Sequence, residues 1–249
     1  MPKAIVLREY GSPNVLQVED VTVANPELGE ILIRQTAIGV NFHDVYVRSG
    51  LYKTLSLPGI PGLEATGVVE AVGPSPSAFK IGDRIAYITS GYGAYASHRI
   101  LQEKLAVKLP DYISDTLVAT NFTRLLTVEM LTKKVTQLEA GQTILVTAAT
   151  GGVGRLLCQQ AHAMGVRVIG SVSTAEKVDI AKRYGCLHAL IYEQPDFIDK
   201  MMDITDGIGV DVVYDSVGVK TFQNSLAVLK YLGHMVSFGQ SSGPVNPLA

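Results

Sequence analysis

Residues 145–165 read LVTAATGGVGRLLCQQAHAMG, with Gly151, Gly152 and Gly154 crowded between an apolar run and a helical pattern. The apolar run predicts a strand over 143–148, and the spacing after the glycines predicts a helix over 152–164. A glycine cluster placed between a strand and a helix meets the requirement of a dinucleotide-binding turn. In that reading Gly151 permits a sharp turn, and Gly152 lets the backbone approach a pyrophosphate. Gly154 permits close packing of helix on strand. The free N–H groups of the helix's first turn would hold the phosphate oxygens. The competing reading is a tight strand-to-helix turn without a ligand.

The flanking sequence favours the phosphate. Strands are predicted over 167–171, 189–192, 211–215 and 234–238, alternating with helices over 175–184, 197–205 and 220–229. Nearly continuous apolar strands separated by helices indicate a parallel sheet covered on both faces. The first part of the chain has a different texture. Short β-branched runs over 3–7, 16–23, 31–38, 65–72 and 83–88 are broken by Gly, Pro, Asn and Asp, with turn segments at 25–30 and 72–84. A short helix is predicted after Asn41, which suits an N-cap, and helix is predicted around 114–134. The expected division is a β-rich domain over 1–120 and a dinucleotide-binding domain over 121–249.

Composition narrows the partners. Hydrophobic residues make up 47% of 249, enough for a substantial core, and the formal net charge is −2. A balance so close to neutral offers no basic field to nucleic acid or anionic lipid. The sequence has no run of about 18 apolar residues that would cross a membrane and no secretory pattern at its start. Two cysteines, Cys158 and Cys186, are too few for a disulfide framework or a cysteine-rich zinc lobe. A cytoplasmic location is expected.

The second strand of the parallel sheet selects the dinucleotide. An acid at its tip would bond both ribose hydroxyls of NADH. The tip here reads VIGSVSTAEK, with hydroxyls on Ser171, Ser173 and Thr174 and an ammonium on Lys177. Hydroxyls and an ammonium welcome a 2′-phosphate that a carboxylate would repel, so NADPH is expected. Glu176, at the helix start, is expected to face water.

Several segments in register resemble the medium-chain dehydrogenase/reductase superfamily and, within it, the NADPH:quinone oxidoreductases similar to zeta-crystallin. They are GSPNVLQVED, AIGVNFHDVYVRSGLY, PGIPGLEATGVVEAVG, TAATGGVG, YDSVG and VSFGQSSG. The resemblance implies an α/β architecture: an N-terminal β-rich GroES-like catalytic domain and a Rossmann parallel-sheet domain. Zinc members of the superfamily carry a His before the glutamate of the third segment; here Leu63 precedes Glu64. No cysteine precedes Cys158, and the five histidines are scattered without ligand spacing. No metal is therefore expected, and Glu64 reads as a structural carboxylate hydrogen-bonded in an inter-domain cleft.

A quinone accepts hydride readily, so positioning and water exclusion would carry most of a metal-free reaction. The resemblance implies catalytic roles for Asn41, which would orient, and for Tyr46 and Tyr52, which would stack on a flat acceptor and offer phenolic O–H groups. Ordinary amphipathic burial is the alternative for both tyrosines. Asp44 and Arg48, four apart on the short helix, could simply pair. For the cofactor, the resemblance implies Phe42 and Thr127 beside the nicotinamide, and Gly151, Gly152, Val153 and Gly154 at the pyrophosphate. It implies Ser173, Thr174 and Lys177 at the 2′-phosphate, with Tyr192 nearby, and Ser216, Phe238, Gly239 and Ser241 at strand ends.

The sequence departs from the family pattern at Arg124-Leu125, where a Lys-Gly pair is common, at Glu129-Met130, where close relatives carry an aromatic pair, and at Thr150. It also stops at SSGPVNPLA, short of the two strands, dimer-forming edge and return segment that relatives carry. A fragment or a truncated product is the expectation, with a homodimer expected of the full-length protein. The expected activity is NADPH-dependent reduction of a quinone. The alternatives are reduction of an α,β-unsaturated carbonyl and non-catalytic NADPH binding.

Overall fold

The computed structural model describes residues 1–74 and 77–247. Ser75 and Pro76 of the predicted turn segment, and Leu248 and Ala249 at the close of the sequence, lie outside the described residues. The chain divides into two compact units, Met1–Thr123 and Arg124–Ala249.

In the first unit, β1 (Lys3–Leu7) and β2 (Leu16–Asp20) form an antiparallel hairpin. The main sheet contains β3 (Glu30–Ile38), β4 (Glu64–Val72), β5 (Arg84–Ile88), β6 (His98–Gln102) and β7 (Ala106–Lys108). It is antiparallel, in the order β6-β3-β4-β5-β7. Strand residues two apart share a face, so Ile31 and Ile33, Ala65 and Val69, and Ile85 and Tyr87 meet in one core with Leu101. Between β3 and β4 lies α1 (Phe42–Ser49). Asn41 precedes it in extended conformation, and its backbone N–H donates to the Asp44 carboxylate. Gly50, at φ 80°, ends the helix in the left-handed region that costs glycine little.

The second unit is the doubly wound sheet. Strands β8 (Thr143–Val146), β9 (Arg167–Val172), β10 (His188–Ile191), β11 (Val210–Asp215) and β12 (Leu229–Ser237) are all parallel, in the order β10-β9-β8-β11-β12. Both faces are covered, which explains the continuous apolar strands. Ile144, Val146, Val168, Val212 and Tyr214 face one core with Leu157, Cys158 and Ala161. Their neighbours Leu145, Ile169 and Val213 face the other, with Phe197 and Met201. The helices are α4 (Gly152–Ala163), α5 (Glu176–Arg183), α6 (Phe197–Ile204) and α7 (Phe222–Ala227). Helix α4 buries Gly154, Leu157, Cys158 and Ala161, a stripe with the spacing of one helical face.

Four features correct the sequence reading. Helix over 114–134 is interrupted: α2 (Asp115–Ala119) ends at Thr120, and α3 (Phe122–Met130) follows, then a π-helical turn over Leu131–Val135. The break is local competition for backbone groups: the Thr120 hydroxyl donates to the Thr116 carbonyl (2.8 Å), and the Asn121 amide donates to that of Leu117 (2.9 Å). Strands β6 and β7, absent from the sequence reading, lie at the two edges of the antiparallel sheet. The last strand begins at Leu229, not near 234, because α7 stops at Ala227. Its register shifts between the pairs Val210–Leu229 and Val212–His234, and Leu232 within the shift has φ 61°. Finally, Asp44 and Arg48 do not pair: Asp44 serves Asn41 and the Tyr95 hydroxyl, while Arg48 donates to the Gly11 carbonyl.

Candidate functional site

The glycine turn departs from its expected geometry in one respect. Gly151 has φ −72°, which any residue adopts; the left-handed residue of the turn is Ala148, at φ 47°. Glycine is required instead for space. A Cβ on Gly154 would overlap the Ala148 carbonyl oxygen and lie 3.0 Å from its carbon, and one on Gly151 would lie 3.0 Å from the same oxygen. The nearest atoms to a Cβ on Gly152 would be those of the Arg124 side chain, with Nε at 2.8 Å. The guanidine of Arg124 thus lies at the first turn of α4, where a helix also offers unpaired N–H groups to an anion. Arg124 departs from the family pattern, and the turn makes it a candidate phosphate neighbour.

Beside this turn lies a cavity of about 450 Å³ at the C-terminal ends of all five parallel strands. Open parallel sheets bind ligands at this end, where the strand order reverses. Its walls are Ala148, Thr150 and Gly151 after β8, Val172 and Ser173 at β9, Tyr192 after β10, Val217 and Lys220 after β11, and Ser241 and Ser242 after β12, with Lys177 from α5. Two ammonium groups and several hydroxyls line it, and no carboxylate does among the described residues. Lys177 Nζ donates to Ser173 Oγ at 3.0 Å.

Gly151, Ser173, Lys177, Tyr192 and Ser241 are therefore brought together. Ser216 and Gly239 stand close by: the Ser241 N–H donates to the Ser216 carbonyl, and a Cβ on Gly239 would touch Ser216. Val153 and Phe238 pack against the apolar core beneath. Thr174 is not in the cavity wall; its side chain bonds Glu176 and holds that carboxyl below its usual range. Thr127 sits on α3, half-buried, outside the cavity wall.

The sequence reading missed the group that shapes one wall. Asp215, fully buried at the end of β11, accepts from the N–H groups of Val217 (2.8 Å) and Gly218 (3.0 Å) through Oδ1. Its Oδ2 accepts from the hydroxyls of Thr221 (2.7 Å) and Ser225 (2.8 Å). This one carboxylate fixes the turn that carries Val217 and Lys220. An acid closing an apolar strand directly before a Gly-containing turn was the available signal.

In the first unit, Asn41, Phe42, Tyr46 and Tyr52 cluster around α1. The Tyr46 ring lies 5.3 Å from Phe42 and 5.0 Å from Tyr52, centroid to centroid, and Tyr46 is buried while Phe42 is exposed. His43 extends the cluster: it stands edge-on to Tyr52 at 5.6 Å, stacks on Tyr92 at 6.0 Å and is 3.2 Å from the Tyr92 hydroxyl. Asn41 is held by Glu64. The buried carboxylate accepts from Asn41 Nδ2 at 2.6 Å with Oε1 and from the Thr123 N–H at 2.8 Å with Oε2. Gly39 permits this, since a Cβ there would strike the Glu64 side chain. Burial raises the Asp44 carboxyl above the usual range against the bonds from Asn41 and Tyr95, and burial with the Asp44 charge raises the Tyr95 phenol.

Residues 27–111 match the alcohol dehydrogenase GroES-like domain, and residues 152–248 match the zinc-binding dehydrogenase family. The quinone oxidoreductase of Pseudomonas aeruginosa is 43% identical over 98% of this chain and 75% of its own length. The 2-haloacrylate reductase of a Burkholderia species is 36% identical over the whole chain and 76% of its own length. A solved structure of Escherichia coli quinone oxidoreductase complexed with NADPH superposes with a TM-score of 0.95, at 41% identity, covering 99% of this chain and 76% of that one. The family description names zinc, but the donor set does not fit it. Among the described residues no group of three His, Cys, Asp or Glu side chains could hold a metal, and Glu64 is engaged by Asn41 and Thr123.

Proposed function

The chain belongs to the zinc-independent quinone oxidoreductases of the medium-chain dehydrogenase/reductase superfamily, and from this premise we propose that it reduces quinones at the expense of NADPH, without a metal. The observation that carries this reading is the acid-free, two-lysine cavity beside the glycine turn. When bound, the cofactor supplies a hydride. Gly151, Gly152, Val153 and Gly154 would take its pyrophosphate on backbone N–H groups, with Arg124 alongside. Ser173 and Lys177 would take the 2′-phosphate, Tyr192 would flank it, and Ser216, Phe238, Gly239, Ser241 and Thr127 would border the rest. A phosphate monoester carries close to two charges at neutral pH, so a lysine and a hydroxyl at that position discriminate strongly against the unphosphorylated cofactor.

Residues 1–120 would serve the acceptor and 121–249 the dinucleotide. Asn41, with its amide fixed by Glu64, would orient a carbonyl oxygen. Tyr46 and Tyr52 would present flat rings and phenolic O–H groups, with Phe42 beside the nicotinamide; one hydride and one proton together take a quinone to a hydroquinone. We assign the protein to the cytoplasm, consistent with its two free thiols, and assign a homodimer from the family resemblance. Among the described residues no helix is long and apolar enough to cross a membrane.

A second reading has a specific support. Similarity to a 2-haloacrylate reductase favours conjugated acceptors other than quinones. Steady-state oxidation of NADPH with an ortho-quinone and, separately, with an enone distinguishes the two. The proposal expects faster turnover with the quinone. Faster turnover with the enone would select the second reading, and cofactor binding with no turnover on either would overturn both.

A further inference from the structure

The cavity that would hold the 2′-phosphate carries a second cation with a resident counter-charge. Lys220 lines it from the turn after β11, as Lys177 does from α5. Its Nζ lies 3.2 Å from Glu193 Oε1, and both side chains are more than half exposed. The backbones that carry the two groups are tied. The Lys220 N–H donates to Ser242 Oγ (3.1 Å), and that hydroxyl donates to the Val217 carbonyl (2.7 Å). Tyr192, immediately before Glu193, offers its carbonyl to Asn224 on α7 (3.3 Å). The Glu193 carboxylate, with the Tyr192 phenol behind it, holds the Lys220 ammonium above its usual range.

We infer that Lys220 and Glu193 form a selectivity latch for the phosphate monoester of the cofactor: Glu193 holds Lys220 in place while the cavity is free, and a 2′-phosphate draws Lys220 into shared contact with itself. The inference rests on the NADPH reading above and adds a determinant to it. Charge decides the direction of the exchange. An exposed lysine–carboxylate pair is weak because water screens it, so little opposes its rearrangement. A phosphate monoester brings roughly −1.5 to −2 charge and three acceptor oxygens, against the single charge of Glu193. An ammonium has three donors and can serve both anions at once. Without Lys220, the Glu193 carboxylate, which stands beside Lys220 and outside the cavity wall, would repel the phosphate unneutralised. Lys220 therefore acts both by attracting the phosphate and by masking a repulsive neighbour, and both effects vanish for NADH.

The test measures dissociation constants for NADPH and NADH, by quenching of tyrosine fluorescence, in the full chain and four variants: Lys177→Met, Lys220→Met, Glu193→Gln and Lys220→Met with Glu193→Gln. All three side chains are exposed, and thermal unfolding will verify that each variant is folded. Lys220→Met is expected to weaken NADPH by about tenfold, the scale of one charge-assisted contact, and to leave NADH within about twofold. Glu193→Gln alone is expected to tighten NADPH, and the double variant to regain part of the loss. Should Lys177→Met discriminate between the cofactors while Lys220→Met does not, the latch is overturned and the NADPH site stands. Should neither lysine change the ratio, the 2′-phosphate assignment falls with it. Loss in the double variant equal to that of Lys220→Met alone would remove the masking role of Glu193.

Discussion

At the scale of single residues, the two buried carboxylates around Asn41 differ in their hydrogen bonding. Glu64 has both oxygens engaged by N–H donors. Asp44 has Oδ2 engaged twice, while Oδ1 is buried without a hydrogen-bond partner among the described residues. Burial dominates at Asp44 and raises its folded-state pKa. A carboxyl raised in this way contributes its stability below the unfolded pKa of about 3.9 and loses it as pH rises through the folded value. Asp44→Asn keeps an oxygen for the Asn41 N–H and the Tyr95 hydroxyl but cannot ionise. Relative to the wild type, the variant should gain stability as pH rises above about 4, as read from urea unfolding at increasing pH. A wild type that gains on the variant over the same interval would show that hydrogen bonding, not burial, governs Asp44.

At the scale of elements, the glycine turn separates packing from binding. At Gly154 a Cβ meets backbone atoms that cannot move aside, whereas at Gly152 it meets the flexible end of Arg124. Gly154→Ala should therefore cost about 1–3 kcal/mol of stability, the usual range for overpacking. Gly152→Ala should cost little stability and weaken NADPH. Equal melting temperatures for the two variants would contradict this division. The parallel sheet was legible in the sequence because apolar strands buried on both faces alternate with helices. The antiparallel sheet was half legible: β6 and β7 are short edge strands whose residues do not separate into an apolar and a polar face. The start of β12 was hidden because the helical pattern reads through Leu229, which instead pairs with Val210 of β11, and the register shift that follows leaves Tyr231 and Leu232 exposed. In the cavity, Ser173, Lys177, Tyr192 and Ser241 could be found because a strand's C-terminal end marks each approach to a ligand. Lys220 could not, because its role depends on a turn folded around a buried carboxylate; for Asp215 the one signal was an acid closing an apolar strand before a Gly-containing turn.

For the molecule as a whole, the two units carry separate cores, and the chemistry proposed for the chain depends on what the second one holds. Its five strand ends converge on one cavity, and we propose that the charges lining that cavity select the cofactor. Binding of a ligand to the folded state alone also stabilises it by mass action, so selectivity can be read from affinity and from stability together. The most direct measurement is a titration of the full chain with NADPH and with NADH under identical salt. NADPH should bind at least about tenfold more tightly, as a charge-assisted phosphate contact requires, and should raise the melting temperature further at equal concentration. Equal affinities, or tighter binding of NADH, would contradict the assignment of this cavity to a 2′-phosphate.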